Sequence, residues 1–245
     1  MTLQLRRPIH AAVLCLVVTA CGVAIGQPPA AAPARAPAPG EVDLQSSRVF
    51  VFVGKTGLGH DHAVVGRLQA GQVRLGAAEQ AGMLVFDMRS FEADTAEARA
   101  GVGLPGQTDP ITRKQVNDNM LGADVLDVAR HPTATFVIHS ALPVPNVPAD
   151  RRPVYSLAGA FTLHGVTRDV VVPVEVEQRA RVLRLRGGFA VRQTDFGMKP
   201  YKKLGGVVGV ADELQISGEI MVASAPVGAA VPTGPLPLPP TGPRP

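Results

Sequence analysis

The stretch VYSLAGAFTLHGVTRDVVVPVEVEQ, residues 154–178, decides the fold. In its first half Leu157, Gly159, Phe161 and Leu163 fall at every second position. A period of two places them on one face of an extended strand. The second half, residues 167–178, has the same β-branched, alternating character. His164, Gly165 and Val166 separate the halves, a spacing that makes a tight hairpin. Two strands of this kind, apolar on one face and mixed on the other, are the unit of an antiparallel sheet with one wet side.

The signal repeats outward in both directions. Strand-like runs occupy residues 49–56, 62–75, 82–90, 133–141, 181–194 and 213–222, which with the central hairpin makes about eight. In the last run Leu214, Ile216, Gly218, Ile220 and Val222 oppose Glu213, Gln215, Ser217 and Glu219. In the one before it Leu183, Leu185, Gly187, Phe189 and Val191 oppose Val182, Arg184 and Arg186, with a reversal expected at Arg179 and Ala180. One segment breaks the pattern. In residues 109–132 Asp109 can cap a helix that begins at Pro110, carries Ile111, Val116, Met120 and Leu121 as an apolar stripe, and stops at Gly122. A Gly-rich loop precedes it. The expected fold is therefore mainly β: a closed antiparallel barrel of about eight strands with one short covering helix. A barrel of that size is either filled by side chains or holds one small ligand. The chain has no Trp and is 4% aromatic. Gly159, Gly187 and Gly218 lie on the inward face, where a glycine either leaves volume or marks a bend. Several together favour a cavity.

The ends of the chain read differently. Arg6 and Arg7 followed by an apolar run over 11–20 predict an export signal within residues 1–26. Two processing sites compete: Val18-Thr-Ala-Cys21, which would lipidate Cys21 and attach the protein to a membrane, and cleavage before Gln27. Residues 27–40 form a Pro/Ala-rich spacer, residues 41–224 the barrel domain, and residues 225–245 a Pro-rich tail expected to be disordered. The expected location is the periplasm or the envelope. The sequence pI of 9.4 does not mark a nucleic-acid binder. Of 24 basic residues Arg6, Arg7, Arg35 and Arg244 lie outside the domain, which leaves 20 against 20 acidic ones. A neutral domain lacks the electrostatic footprint of a phosphate-backbone binder. Cys15 and Cys21 both precede it, so its chemistry involves neither a thiol nor a disulfide.

Four stretches, MLGADVLDVARHPTATFVIHS (120–140), LAGAFTLHGVTRDVVVPV (157–174), FAVRQTDFGM (189–198) and VADELQISGEI (210–220), together resemble the YceI-like family of bacterial periplasmic lipid-binding proteins, in the branch that carries a GHDH motif. The resemblance spans most of residues 42–223. It implies a lipocalin-like barrel that binds a long apolar molecule, such as a polyisoprenoid or fatty-acyl chain, without catalysis and without a cofactor. Its ligand contacts are carried by inward apolar positions, which here are Phe136, Ile138, Leu157, Phe161, Leu183, Leu185, Phe189, Val191, Leu214 and Ile216. Each serves equally as ordinary core.

The motif GLGHDHAVVG, residues 57–66, carries the remaining chemistry. His60 and His62 share a strand face, and Asp61 points away. They could start a metal site or a metal-dependent enzyme with His131, His139 or His164 as a further ligand, since zinc sites need three or four. Alternatively one ring braces a loop, or both meet a ligand head group at the barrel mouth. His139 alternates with Ile138 and should face outward. Arg192 and Asp195 form either a strand-end ion pair or part of that polar mouth. No G-x-S-x-G, H-E-x-x-H or phosphate-binding loop occurs. A third reading is a filled barrel that acts as an envelope interaction module. Oligomeric state is not legible.

Overall fold

The structure is a computed structural model and describes residues 37–224. The expected signal segment, Cys21, most of the spacer and the Pro-rich tail lie outside the described residues. Nine strands form one antiparallel sheet: β1 (Arg48–Gly57), β2 (His62–Val73), β3 (Gly82–Ala93), β4 (Thr133–Pro143), β5 (Val154–Leu163), β6 (Val166–Arg179), β7 (Val182–Arg192), β8 (Lys202–Lys203) and β9 (Val208–Ala223). Strands that follow one another in the chain pair from β1 to β7. β9 then pairs with both β7 and β1, closing an eight-strand barrel, and β8 is a two-residue addition to β9.

The β5–β6 hairpin closes on Leu163 opposite Val166 and runs in register to Val154 opposite Glu175. Its two-residue turn has His164 at φ 51° and Gly165 at φ 76°. Positive φ at both positions is the geometry whose twist matches that of the flanking strands. The next turn falls one residue later than expected, at Ala180 and Arg181, because Arg179 pairs with Val182. Register shifts in the β1–β9, β2–β3 and β4–β5 ladders let the strands coil around the interior. Inside, Phe161 makes edge-to-face contacts with Phe86, Phe189 and Phe196 at centroid distances of 6.4, 5.5 and 5.7 Å. Outside, Arg184 and Arg186 of β7 pair with Glu219 of β9 at 2.6 and 3.2 Å, the polar face that alternation demands.

Among the described residues there are two α-helices where one was expected. α2 (Pro110–Leu121) is the expected one, and the Asp109 carboxylate accepts the Ile111 and Thr112 N–H groups at 3.1 and 3.0 Å. α1 (Ala96–Gly101) overlaps the segment expected as a Gly-rich loop; six residues are too few to show a helical period. Thr95 caps it, accepting the Ala98 N–H at 3.0 Å. α1 lies on the outside of β2, where Ala63, Val65 and Ala98 form a small second core. Ile111 also departs from the expected stripe and is 83% exposed, while Val116 and Met120 pack on the barrel core. Nine residues separate Ile111 from Met120, which is two and a half turns, so the two point to opposite sides.

The strand directions put residues 58–61, 94–132, 164–165 and 193–207 at one end of the barrel. These segments form its roof. At the other end the chain enters between β2 and β9: Glu41 bridges to Gln72 and Val42 to Val222, and Val42 is buried. Ser47 ties this floor together, donating to the Asp43 carbonyl at 2.6 Å and accepting from the Met221 N–H at 3.0 Å.

Candidate functional site

The barrel encloses a cavity of about 240 Å³ walled almost entirely by hydrocarbon. Seven of the ten expected wall residues line it: Phe136, Leu157, Phe161, Leu185, Phe189, Leu214 and Ile216. Three do not. Ile138 is fully buried where the β4–β5 register shifts, and Leu183 and Val191 sit near the two ends of β7. All three belong to the packing around the cavity. The inward glycines divide in the same way. A Cβ on Gly159 would stand 2.0 Å from the Val137 carbonyl oxygen, and one on Gly187 2.4 Å from that of Pro173. Those two allow strands to approach closely. A Cβ on Gly218 would meet nothing nearer than 3.8 Å, ordinary contact distance, so this position in the cavity wall has room for a side chain.

Polar groups reach the cavity mainly from the roof side: His62 at the start of β2, Asn119 of α2, Gln193 after β7, and Tyr201. Val116, Met120, Val125 and Leu126 complete the apolar part of that roof. Gln193 is buried and donates to the Ala211 carbonyl at 2.8 Å. It, rather than its neighbour Arg192 or Asp195, turns toward the cavity. Arg192 and Asp195 make no ion pair. The chain leaves β7 into a 3-10 turn (Gln193–Phe196) that takes them off a common strand face, and both are exposed. Asp195 contributes its carbonyl, which accepts from Arg168 at 3.0 Å.

His62 is set by a buried carboxylate. Asp94 follows β3 at φ 56°, a left-handed conformation that Asp tolerates better than most residues. One of its oxygens accepts the His62 Nδ1–H at 2.7 Å; the other accepts the Ala63 N–H and Arg99 Nη1, both at 3.1 Å. Burial alone would raise the Asp94 carboxyl, but the His62 and Ala63 hydrogen bonds and the His62 and Arg99 charges outweigh it and hold it below the ordinary Asp range. With Nδ1 committed to Asp94, Nε2 is the ring's other hydrogen-bonding atom. Arg99 also donates to the Gly106 carbonyl at 3.0 Å, which ties the Gly-rich loop to this group. His60 stacks on His62 with ring centroids 4.3 Å apart. Its own partial burial, then the neighbouring His62, hold its imidazole below the usual histidine range. Asp61 points away, as expected, and accepts the Lys55 N–H at 2.9 Å to close the hairpin.

Ligand atoms of His60, His62 and Asp94 lie within 4.8 Å of one another. Both Asp94 oxygens, however, are already spent on three donors, so the trio is arranged as an oriented imidazole. The other expected ligands do not join it. His139 is exposed on β4, and His131 and His164 pair with each other, their centroids 4.5 Å apart. Sequence reasoning missed Asp94, Arg99, Gln193, Asn119 and Tyr201. For Asp94 a signal existed: an acidic residue directly before the Thr-x-x-Ala start of a helix.

A YceI-like domain model matches residues 41–222. No curated protein matches the sequence. Among solved structures, BcnA of Burkholderia cenocepacia is similar at 21% identity and TM-score 0.48, covering 74% of this chain and 99% of that one. A polyisoprenoid-binding domain from Saccharophagus degradans implicated in plant cell wall breakdown is similar at 10% identity and TM-score 0.46, covering 76% and 98%. A YceI protein of Campylobacter jejuni follows at 11% and 0.42, covering 65% and 84%. The family model spans the whole barrel, floor segment included, and the chain belongs to the YceI-like family.

Proposed function

We propose that this protein is a non-enzymatic cell-envelope binding protein that buries one apolar chain, of isoprenoid or fatty-acyl type, in the barrel, with the chain's polar end beneath the roof at His62, Asn119, Gln193 and Tyr201. The observation that carries this reading is the sorting of the cavity: hydrocarbon along its length, polar groups gathered toward one end. That is the pattern of a site which gains affinity from apolar burial and orientation from a few hydrogen bonds. Size limits the ligand. About 240 Å³ exceeds the roughly 150 Å³ that accepts benzene in an engineered core, and falls short of the roughly 300–1,000 Å³ of drug-sized pockets. A single slender chain fits the shape better than a fused-ring ligand, and a long one would extend through the roof. The polyisoprenoid named for the Saccharophagus domain is of this class. The export signal expected from Arg6 and Arg7 ahead of the apolar run supports the reading, with Cys21 as the candidate membrane anchor.

The test is solvent extraction of protein purified from its host, followed by mass spectrometry, together with binding of a fluorescent fatty acid. An apolar chain should co-purify, and Gly218→Leu, which adds bulk to the cavity wall, should weaken probe binding about tenfold or more, roughly 1.4 kcal/mol. A protein that yields no lipid and binds no chain probe is not the protein described here.

A further inference from the structure

We infer that Asp127, His131 and His164 form a transition-metal site in the roof of the barrel, distinct from the cavity and from the His60–His62 pair. One carboxylate oxygen and one ring nitrogen from each histidine lie within 4.8 Å of one another. A tetrahedral zinc with bonds near 2.1 Å needs its ligands about 3.4 Å apart, which small side-chain rotations reach.

The decisive atom is His164 Nε2. It is buried and has no hydrogen-bond partner. Its ring is not loosely held: Nδ1 lies 3.1 Å from the Phe196 carbonyl, which can only accept, so Nδ1 carries the proton and Nε2 a lone pair. A backbone carbonyl that fixes one ring nitrogen and bares the other is the usual support of a metal-ligating histidine. Left alone, that lone pair is a buried unsatisfied acceptor, which proteins avoid.

The chain brings the second ring to it by a steric device. His131 lies against Gly165, where an added Cβ would stand 2.9 Å from its Cε1. The turn that needs Gly165 for its φ therefore also makes room for the second imidazole. His131 is held from the other side by its own N–H, which donates to the Asp127 carbonyl at 2.8 Å. Asp127 is buried, and one of its oxygens is held by Arg130, whose side chain is 75% exposed and can swing into water. His131 is only half-buried, which leaves an approach for an ion and a fourth position for water.

Two imidazoles and one carboxylate suit zinc, copper(II) or nickel(II) rather than calcium or magnesium, which prefer all-oxygen sites. An ion here would join the β5–β6 turn to the loop after α2, whose Val125 and Leu126 roof the cavity.

The test uses the untagged full chain, titrated with Zn²⁺ by calorimetry and with Co²⁺ by visible absorption. One equivalent should bind with the intense bands of a tetrahedral N/O site. His131→Ala and His164→Asn, the latter chosen because Asn tolerates the left-handed turn, should each weaken binding about a hundredfold or more. The His60→Ala/His62→Ala double variant should leave that equivalent in place. Should either turn variant fail to fold, amide resonance broadening by Ni²⁺ in the wild-type protein decides: residues around 127, 131, 164 and 196 should broaden first. The inference is overturned by absence of stoichiometric binding at micromolar Zn²⁺, by unchanged affinity in the folded variants, or by broadening centred on residues 60–62.

Discussion

Two histidine pairs stand in the roof of the barrel, built from nearly the same parts. His60 and His62 have Asp94 and Arg99 beside them; His131 and His164 have Asp127 and Arg130. In each pair the rings tilt by 52°. What differs is where the carboxylate's hydrogen bonds go. Asp94 spends both oxygens on His62, Ala63 and Arg99, and so turns one imidazole into a fixed polar group at the cavity. In the second pair a backbone carbonyl takes the His164 ring, and Nε2 is left buried and bare. The same residue types thus give a satisfied orienting group in one place and a buried ring nitrogen without a partner in the other. Composition does not decide between these outcomes; the partner of one ring nitrogen does.

The comparison can be broken most directly at the carboxylates. Asp94→Asn keeps the left-handed backbone but removes the charge that faces Arg99 and the His62 proton. Stability to chemical denaturation should fall by about 3 kcal/mol, as for other buried pairs left with one partner. Asp127→Asn should cost clearly less, because Arg130 is free to move into solvent. Equal losses would mean that the two carboxylates do the same work.

Acid provides the next test. Asp94 is held below the ordinary Asp range when folded, so the unfolded chain binds its proton first as pH falls. Its contribution is complete above about pH 4 and is lost as pH drops through the lower, folded value. Other shifted carboxylates, such as Asp43 and Glu219, share this direction. The part due to Asp94 is therefore the difference between wild type and Asp94→Asn, and denaturation midpoints from pH 7 to pH 2 should converge toward the acid end.

A finer distinction concerns the ligand. His62→Ala should weaken binding of a fatty-acid probe about fivefold, the worth of one hydrogen bond, whereas His131→Ala should leave it unchanged. A shared loss would place both pairs at the cavity. The smallest effect belongs to the outside of α2: Ile111→Ser should change stability by less than about 0.5 kcal/mol, against about 2 kcal/mol or more for Met120→Ala on its inner side.

How much of this was legible follows from sequence distance. The barrel was, because alternation and the His164-Gly165 turn are local signals, and the last two strands display their faces directly. Seven wall positions were found for the same reason. Ile138 was misplaced because a register shift in the β4–β5 ladder alters which side chains reach the interior. α1 was missed for lack of length. Among the site residues, His60 and His62 stood out because a single residue separates them. Asp94 lies 32 residues from His62 and Asp127 37 from His164; the β2–β3 pairing brings the first two together and the roof loops the second. Attention to charge picked out Arg192 and Asp195 and passed over Gln193, since nothing in the sequence announces which side chain a 3-10 turn rotates inward.

The floor carries a consequence for how the protein presents its ligand. The Gly40 N–H donates to the Ala223 carbonyl and the Ala223 N–H to the Glu41 carbonyl, both at 2.8 Å, so the domain's first and last residues leave side by side. They do so at the end opposite His62 and the roof. Whatever holds this domain by either terminus, a lipid, a surface or a fused partner, holds it by the base, and the polar groups that reach the cavity are carried on the far side.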